Sequence, residues 1–331
     1  MHSTMDPERV EEPVGSVEQD LETYRRELTG YCYRMLGSGS EAEDAVQETM
    51  IKAWNGRDSF GGRSSTRTWL YRVAHNVCID MLRSPQRRAR PMELGPSTPT
   101  SEAVLGAPLP EGVFVQPIAD GKVIDLTADP ADVALARESI RLAFIAALQH
   151  LPPLQRSVLI LCEVLAWKAS EAAALLEQTV AAVNSALQRA RKTLAARRGP
   201  SLMSTMDSRH SVLLEQYVEA FETYDIDRLV SLLRDDAVLS MPPFNLWLSG
   251  PEDCAAWFLG KGIVCKDSRL LPVMVNGTAG FGAYHFVEPG LWEPFAVQVI
   301  ETREGKIVGH HNFLYPELFP AFGLPEKVDE R

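Results

Sequence analysis

HLPPLQRSVLILCEVLAWKASEAAALLEQTVAAVNSALQRARKTLAARR, residues 150–198, is the stretch on which the fold turns. Two prolines open it, at a position where a missing backbone N–H costs a helix nothing. Leu154, Val158, Leu161 and Leu165 then recur at helical spacing as one apolar face. A short helix, SEAAALL, follows, then the three-residue turn Glu177-Gln178-Thr179, whose threonine hydroxyl is placed to cap the next helix. In that last helix Val180, Val183, Leu187, Ala190 and Leu194 point inward. Asn184, Ser185, Gln188, Arg189, Arg191 and Lys192 point outward. Helix, tight turn, amphipathic basic helix is the helix-turn-helix pattern, whose second helix enters the major groove of DNA. Asn and Gln can pair bidentately with adenine and Arg with guanine, so the outward set suits base reading as well as phosphate contact. The plainer alternative is a solvated basic face on a helical hairpin.

A basic helix is out of keeping with the chain as a whole, which has 331 residues and a formal net charge of -11. The charge is unevenly distributed. Residues 21–90 carry 12 Lys/Arg against 8 Asp/Glu and residues 135–198 carry 9 against 4, so two basic segments sit in an otherwise acidic chain. Long-range attraction of free protein to DNA is therefore expected to be weak, which suits a protein delivered to its site by a partner. At 45% hydrophobic the chain can build several cores. No apolar run approaches the ~18–20 residues of a membrane span, and the acidic start lacks the features of a signal peptide, so no membrane association and a cytoplasmic location are expected. Cys32, Cys78, Cys162, Cys254 and Cys265 are scattered without metal-site spacing, and neither a metal nor a cofactor is expected.

Residues 20–90 read as a helical module. EAEDAVQETMIKAW places Ala42, Val46, Met50 and Ala53 on one face and Asp44, Gln47 and Glu48 on another. RTWLYRVAHNVCIDMLR gives a core stripe of Leu70, Val73, Ala74, Val77 and Met81, and a polar stripe of Arg72, Asn76, Asp80 and Arg83. Beside a Gly-rich, Arg-bearing loop and the aromatics Trp69 and Tyr71, that stripe suits single-stranded nucleic acid: bases stack on rings while arginines follow phosphates. Residues 91–134, rich in Pro, Gly, Ser and Thr, read as a linker to a second helical module at 135–198.

Past a joint near 197–208, residues 208–325 form a third unit. Two helices, with Leu213, Tyr217, Ala220 and Tyr224 as a buried stripe, run into strands, and PFAVQVIETREGKIVGHHNFLY alternates on both sides of a hairpin turn at Gly305. An α+β domain follows. Asp236, Trp247, Trp257, Phe281, Trp292, His310 and His311 are its candidate pocket residues, His310 and His311 facing opposite sides of the last strand. Asp236 is the candidate general base, although a regulatory module is expected rather than an enzyme.

DAVQETMIKAW, RTWLYRVAHNVCIDMLR and LPPLQRSVLILCEVLAW followed by VAAVNSALQRARKTL resemble regions 2 and 4 of bacterial sigma factors of the extracytoplasmic-function (ECF) group. The third unit resembles the SnoaL/ketosteroid-isomerase-like cone, and the three-part layout resembles the sigma-factor subgroup carrying such a domain. That resemblance implies two all-α modules plus an α+β cone. It implies docking on core RNA polymerase through Asp44, Gln47, Glu48 and Trp54. The -10 promoter element would be read by Ser59, Arg63, Ser64, Arg72, Asn76, Asp80 and Arg83, and the -35 element by Asn184, Ser185, Gln188, Arg189 and Lys192. The cone would regulate in cis, with no separate anti-sigma factor required. Two departures stand out: Glu177 where the family often has Gly, and Phe114 where the subgroup's linker has Trp. A stand-alone helix-turn-helix regulator and a small-molecule enzyme fused to a DNA-binding module are the alternatives.

Overall fold

The computed structural model describes residues 15–57, 65–83, 97, 99–110, 114–197 and 208–329. Helices α1 (Gly15–Leu36), α2 (Gly39–Gly56) and α3 (Thr66–Arg83) form the first module. Ser38 caps α2 by accepting the Glu41 N–H at 3.3 Å. Leu28, Tyr31, Met35, Ala42, Val46, Leu70, Ala74 and Val77 meet in its core. Val73 and Met81, expected in the same stripe, are only half-buried.

The second module runs through α5 (Pro130–Glu138), α6 (Leu142–Gln149), α7 (Pro153–Leu159), α8 (Ala169–Leu176) and α9 (Val180–Arg197). Asp129 caps α5, and α7 continues into a π-helical turn, Ile160–Val164. Thr179 caps the basic helix α9 through the Ala182 N–H at 3.1 Å. Val183, Ala186, Ala190 and Leu194 are buried beneath it. Val180 and Leu154 are not core residues as expected: each sits in the first turn of its helix, and they are 45% and 37% exposed.

The third unit begins with α10 (Ser208–Glu222) and α11 (Ile226–Ser231), and α12 (Pro251–Leu259) lies between its second and third strands. Strands β1 (Leu233–Ser240), β2 (Trp247–Ser249), β3 (Arg269–Val275), β4 (Thr278–Glu288), β5 (Leu291–Arg303) and β6 (Lys306–Phe313) order as β2-β1-β6-β5-β4-β3, with β7 (Val328–Asp329) beside β5. Among the described strands only β1 and β6 run parallel. The β5–β6 hairpin turns at Glu304-Gly305, both at positive φ, and pairs Arg303 with Lys306. Alternation along β5 sends Ala296 and Ile300 into a core with α10–α12. Val297 and Val299 go to the opposite face and join the core of the helical modules.

Residues 114–124, expected to be plain linker, are packed structure. They contain the short helix α4 (Asp120–Val123), and Ala119 pairs with Val275, covering the edge of β3. Gln116, Ile118 and Asp120 are buried, and Phe114 is half-buried. The segment is held because Tyr33 and Gly37 of the first module and Asn276 of the cone bond its backbone, while Arg137 of the second module bonds the Asp120 side chain.

The helix-turn-helix turn tests the cost of Glu177. Its φ and ψ are 54° and 42°, left-handed values that crowd a β-carbon. Glu177→Gly should stabilise the chain by about 0.5–1 kcal/mol. A higher urea midpoint at unchanged slope is the expected result; no shift would mean the turn is unstrained.

Candidate functional site

Helix α9 presents Asn184, Ser185, Gln188, Arg189 and Lys192 to solvent together, as a DNA-reading face requires. Among the described residues Arg189 and Lys192 have no acidic partner, whereas the Arg191 guanidinium is bonded to the Glu163 carboxylate. Helix α2 likewise exposes Asp44, Gln47, Glu48 and Trp54. Arg57 lies 4.1 Å over the Trp54 ring, and Lys52 reaches Glu48 at 3.3 Å. The sequence reading omitted Ile51, which is 50% exposed and one turn before Trp54. Its spacing of three from Glu48 and Trp54 was the available signal.

The face on α3 is more divided. Asn76, Asp80 and Arg83 are exposed, with Arg83 and Asp80 3.8 Å apart. Arg72, in contrast, donates to the Ala174 carbonyl of α8 at 3.0 Å. Tyr71 is no stacking platform for bases: it is fully buried, with ring centroids 5.3 Å from Tyr31 and 5.0 Å from Trp167. Arg67, held by Glu27, covers the Tyr71 and Trp167 rings. His75 lies 3.1 Å from both the Tyr31 and the Ser157 hydroxyls, joining α3 to α7, and burial pushes its pKa down to about 4. Helix α3 of the first module is thus packed against the second. Ser59, Arg63 and Ser64 lie outside the described residues.

Where the three units meet, the β3–β4 turn inserts Asn276, which is fully buried. Its Nδ2 donates to the Tyr33 hydroxyl at 2.6 Å and to the Ile140 carbonyl at 2.7 Å, while Oδ1 accepts the Ile118 N–H at 2.9 Å. One side chain therefore bonds the first module, the linker and the second module. Gly277 follows at φ +71°, donating to Asp120 at 2.8 Å, and a β-carbon there would stand 2.4 Å from the Arg137 carbonyl. Arg137 in turn pairs with Asp120 at 3.2 Å. A second contact comes from Glu301 of β5, which accepts the Ala143 N–H in the first turn of α6, a helix with no side-chain cap of its own. Burial alone would raise the Glu301 carboxyl. The hydrogen bonds from His311 and Ala143 and the charge of Arg141 outweigh it and hold the pKa below the usual range.

The cone residues do not converge. Trp257, Phe281 and His310 share the core with α10–α12. His310 bonds the Tyr217 hydroxyl at 3.0 Å, and burial pushes its pKa down to about 3. Trp247 is half-buried on β2. Trp292 belongs instead to the opposite core, beneath Arg269, and His311 lies on that side too, 2.8 Å from Ser240 and 3.5 Å from Glu301. Asp236 is exposed and paired with Arg234, which lowers its pKa. An exposed, ion-paired carboxylate is no base in an apolar pocket. Two clefts of about 560 and 390 Å³ flank α4, and neither is lined by a candidate pocket residue. Among the described residues no cluster of His, Cys, Asp and Glu could hold a metal, and no helix is long and apolar enough to cross a membrane.

Comparison with known proteins agrees with this layout. Residues 21–88 match the Sigma-70 region 2 family and 141–194 the Sigma-70, region 4 family. ECF RNA polymerase sigma factor SigG of Mycobacterium tuberculosis is 40% identical over 97% of this chain and 87% of its own length. SigJ of the same organism is 28% identical over 93% of this chain and 95% of its own length. The SigJ crystal structure superposes with a TM-score of 0.62 at 23% identity, covering 93% of this chain and 100% of that one, so the fold is shared from the helical modules through the cone.

Neutral buried histidines make stability depend on pH. With His75 and His310 depressed to about 4 and about 3 in the fold, the unfolded chain takes up protons first as pH falls below about 6.5. Stability should be flat above that pH and fall below it, by up to about 1.4 kcal/mol per pH unit for each histidine. Urea midpoints between pH 8 and 5 should show the decline, and His75→Gln should make it shallower.

Proposed function

The chain belongs to the ECF RNA polymerase sigma factors, which direct promoter-specific initiation, and from that premise we propose that its fused cone holds the two DNA-reading modules in a closed arrangement. Elements named -10 and -35 are about 25 base pairs apart, or about 85 Å along duplex DNA. Helices α3 and α8 are in contact, and Arg72, assigned to the -10 element, is bonded to α8. A chain in this arrangement cannot engage both elements at once. Opening has to separate the modules, and the observation that carries this function for the cone is Asn276, whose hydrogen bonds are all satisfied only while the units stay together. The cone then does in cis what a separate anti-sigma factor does in trans, at the high local concentration of a tethered domain. Two roles are assigned with it: Asp44, Gln47, Glu48 and Trp54 dock on polymerase, and α9 reads the -35 element. Any small ligand would act by binding the closed and open forms unequally.

Asn276→Ala leaves the Ile118 N–H and the Ile140 carbonyl unsatisfied, and the Tyr33 hydroxyl with Gln116 as its one remaining partner, only in the closed form, and should shift the balance toward opening. In reconstituted transcription the variant should give several-fold more promoter-specific product than the parent chain. Deleting residues 208–331 should change output in the same direction, whereas Asp236→Asn should leave it unchanged. Equal output from the parent and Asn276→Ala chains at every concentration would remove the cone from regulation. Separately, Arg189→Ala should cost on the order of 1–3 kcal/mol at the cognate promoter and relax base choice at one position.

A further inference from the structure

The π-helical turn Ile160–Val164 ends α7 with one more residue per turn than an α-helix, and Ala166 at φ +54° then breaks the chain toward α8. Glu163 sits within that turn, and its carboxylate is bonded to Arg191 of α9. Arg191 is three residues beyond Gln188, hence on the same side of the helix, next to the residues assigned to base reading. A carboxylate beside a face built to meet phosphates opposes binding.

We propose that Glu163 is a specificity-determining residue: it cancels the charge of Arg191 on non-cognate DNA and yields it only when α9 is seated on its promoter. Binding to non-cognate DNA is almost wholly counterion release by free cations, and a paired arginine releases none. Both side chains are exposed to solvent, so the pair is weak and exchangeable. On the cognate element the base contacts fix α9 at one depth, a phosphate stands at a set distance, and Arg191 exchanges the carboxylate for it. On other sequences the helix is held loosely, and Arg191 stays on Glu163. The pair thus widens the gap between right and wrong sites by weakening the wrong ones, and wrong sites are the more numerous. This inference rests on α9 reading promoter DNA.

The test uses holoenzyme reconstituted with the full chain, on a duplex carrying the promoter and on a scrambled duplex, from about 50 to 200 mM salt. Glu163→Gln should steepen the log–log salt dependence on scrambled DNA by about 0.9, a further three- to fourfold change across that range. On the promoter the slope should change by less than half as much, and discrimination should fall accordingly. Adding Arg191→Ala to Glu163→Gln should abolish the steepening. An unchanged slope on scrambled DNA, equal steepening on both duplexes, or persistence of the effect without Arg191 would overturn the proposal. A pair that only braces α7 against α9 would lower the thermal midpoint and leave the slopes alone. Arg189→Ala in the same assay separates the two claims. If it leaves promoter binding intact, promoter reading by α9 fails; if it weakens promoter binding while Glu163→Gln changes nothing, only the role of Glu163 fails.

Discussion

A buried amide is expensive unless each of its hydrogen-bonding groups finds a partner, and Asn276 finds its partners in three different parts of the chain. The first module supplies a hydroxyl, the second a helix-end carbonyl, and the linker an N–H. None of the three alone satisfies the side chain, so their relative position is fixed by one residue of the cone. Gly277 sharpens the constraint. At 2.4 Å from the Arg137 carbonyl no side chain fits, so the backbone itself forms the tip of the wedge.

Around this point the remaining contacts are individually modest. Arg156 of the second module donates to Gln149 and Leu151 carbonyls and to Met35 at the end of α1. His75 joins two hydroxyls, and Trp167 closes over Tyr71. These contacts border a hydrophobic core that runs through the helical modules and onto Val297 and Val299 of the sheet. The closed state proposed for the cone has to be specific and yet leave the helical modules folded when released.

Electrostatics follow the same division of labour. The acidic remainder discourages the chain from binding DNA by itself, and the basic face of α9 is kept small. Within that face the structure distinguishes Arg189 and Lys192, which have no acidic partner among the described residues, from Arg191, which has one. In the role proposed for Glu163, that distinction separates charges that act on every duplex from one that acts only where the helix is seated.

The helix-turn-helix was legible in the sequence because helical period, turn length and capping residue are local properties, fixed within about one turn of chain. The β5–β6 hairpin at Gly305 and the opposed His310 and His311 were legible for the same reason, since strand alternation is a nearest-neighbour rule. Local pattern could not say what stands opposite an exposed-looking stripe. Arg72 and Tyr71 have the spacing of a nucleic-acid face, yet α8 and Trp167 occupy them. Asp236 has the chemistry of a base, yet Arg234 and Arg303 hold it at the surface. Residues 114–124 have the composition of a linker, yet Asn276 and Val275, more than 150 positions away, give their backbone its partners. The sequence by itself determined the helices, the turns and the family. The tertiary structure alone decided which faces are covered, because burial depends on residues far apart in the chain.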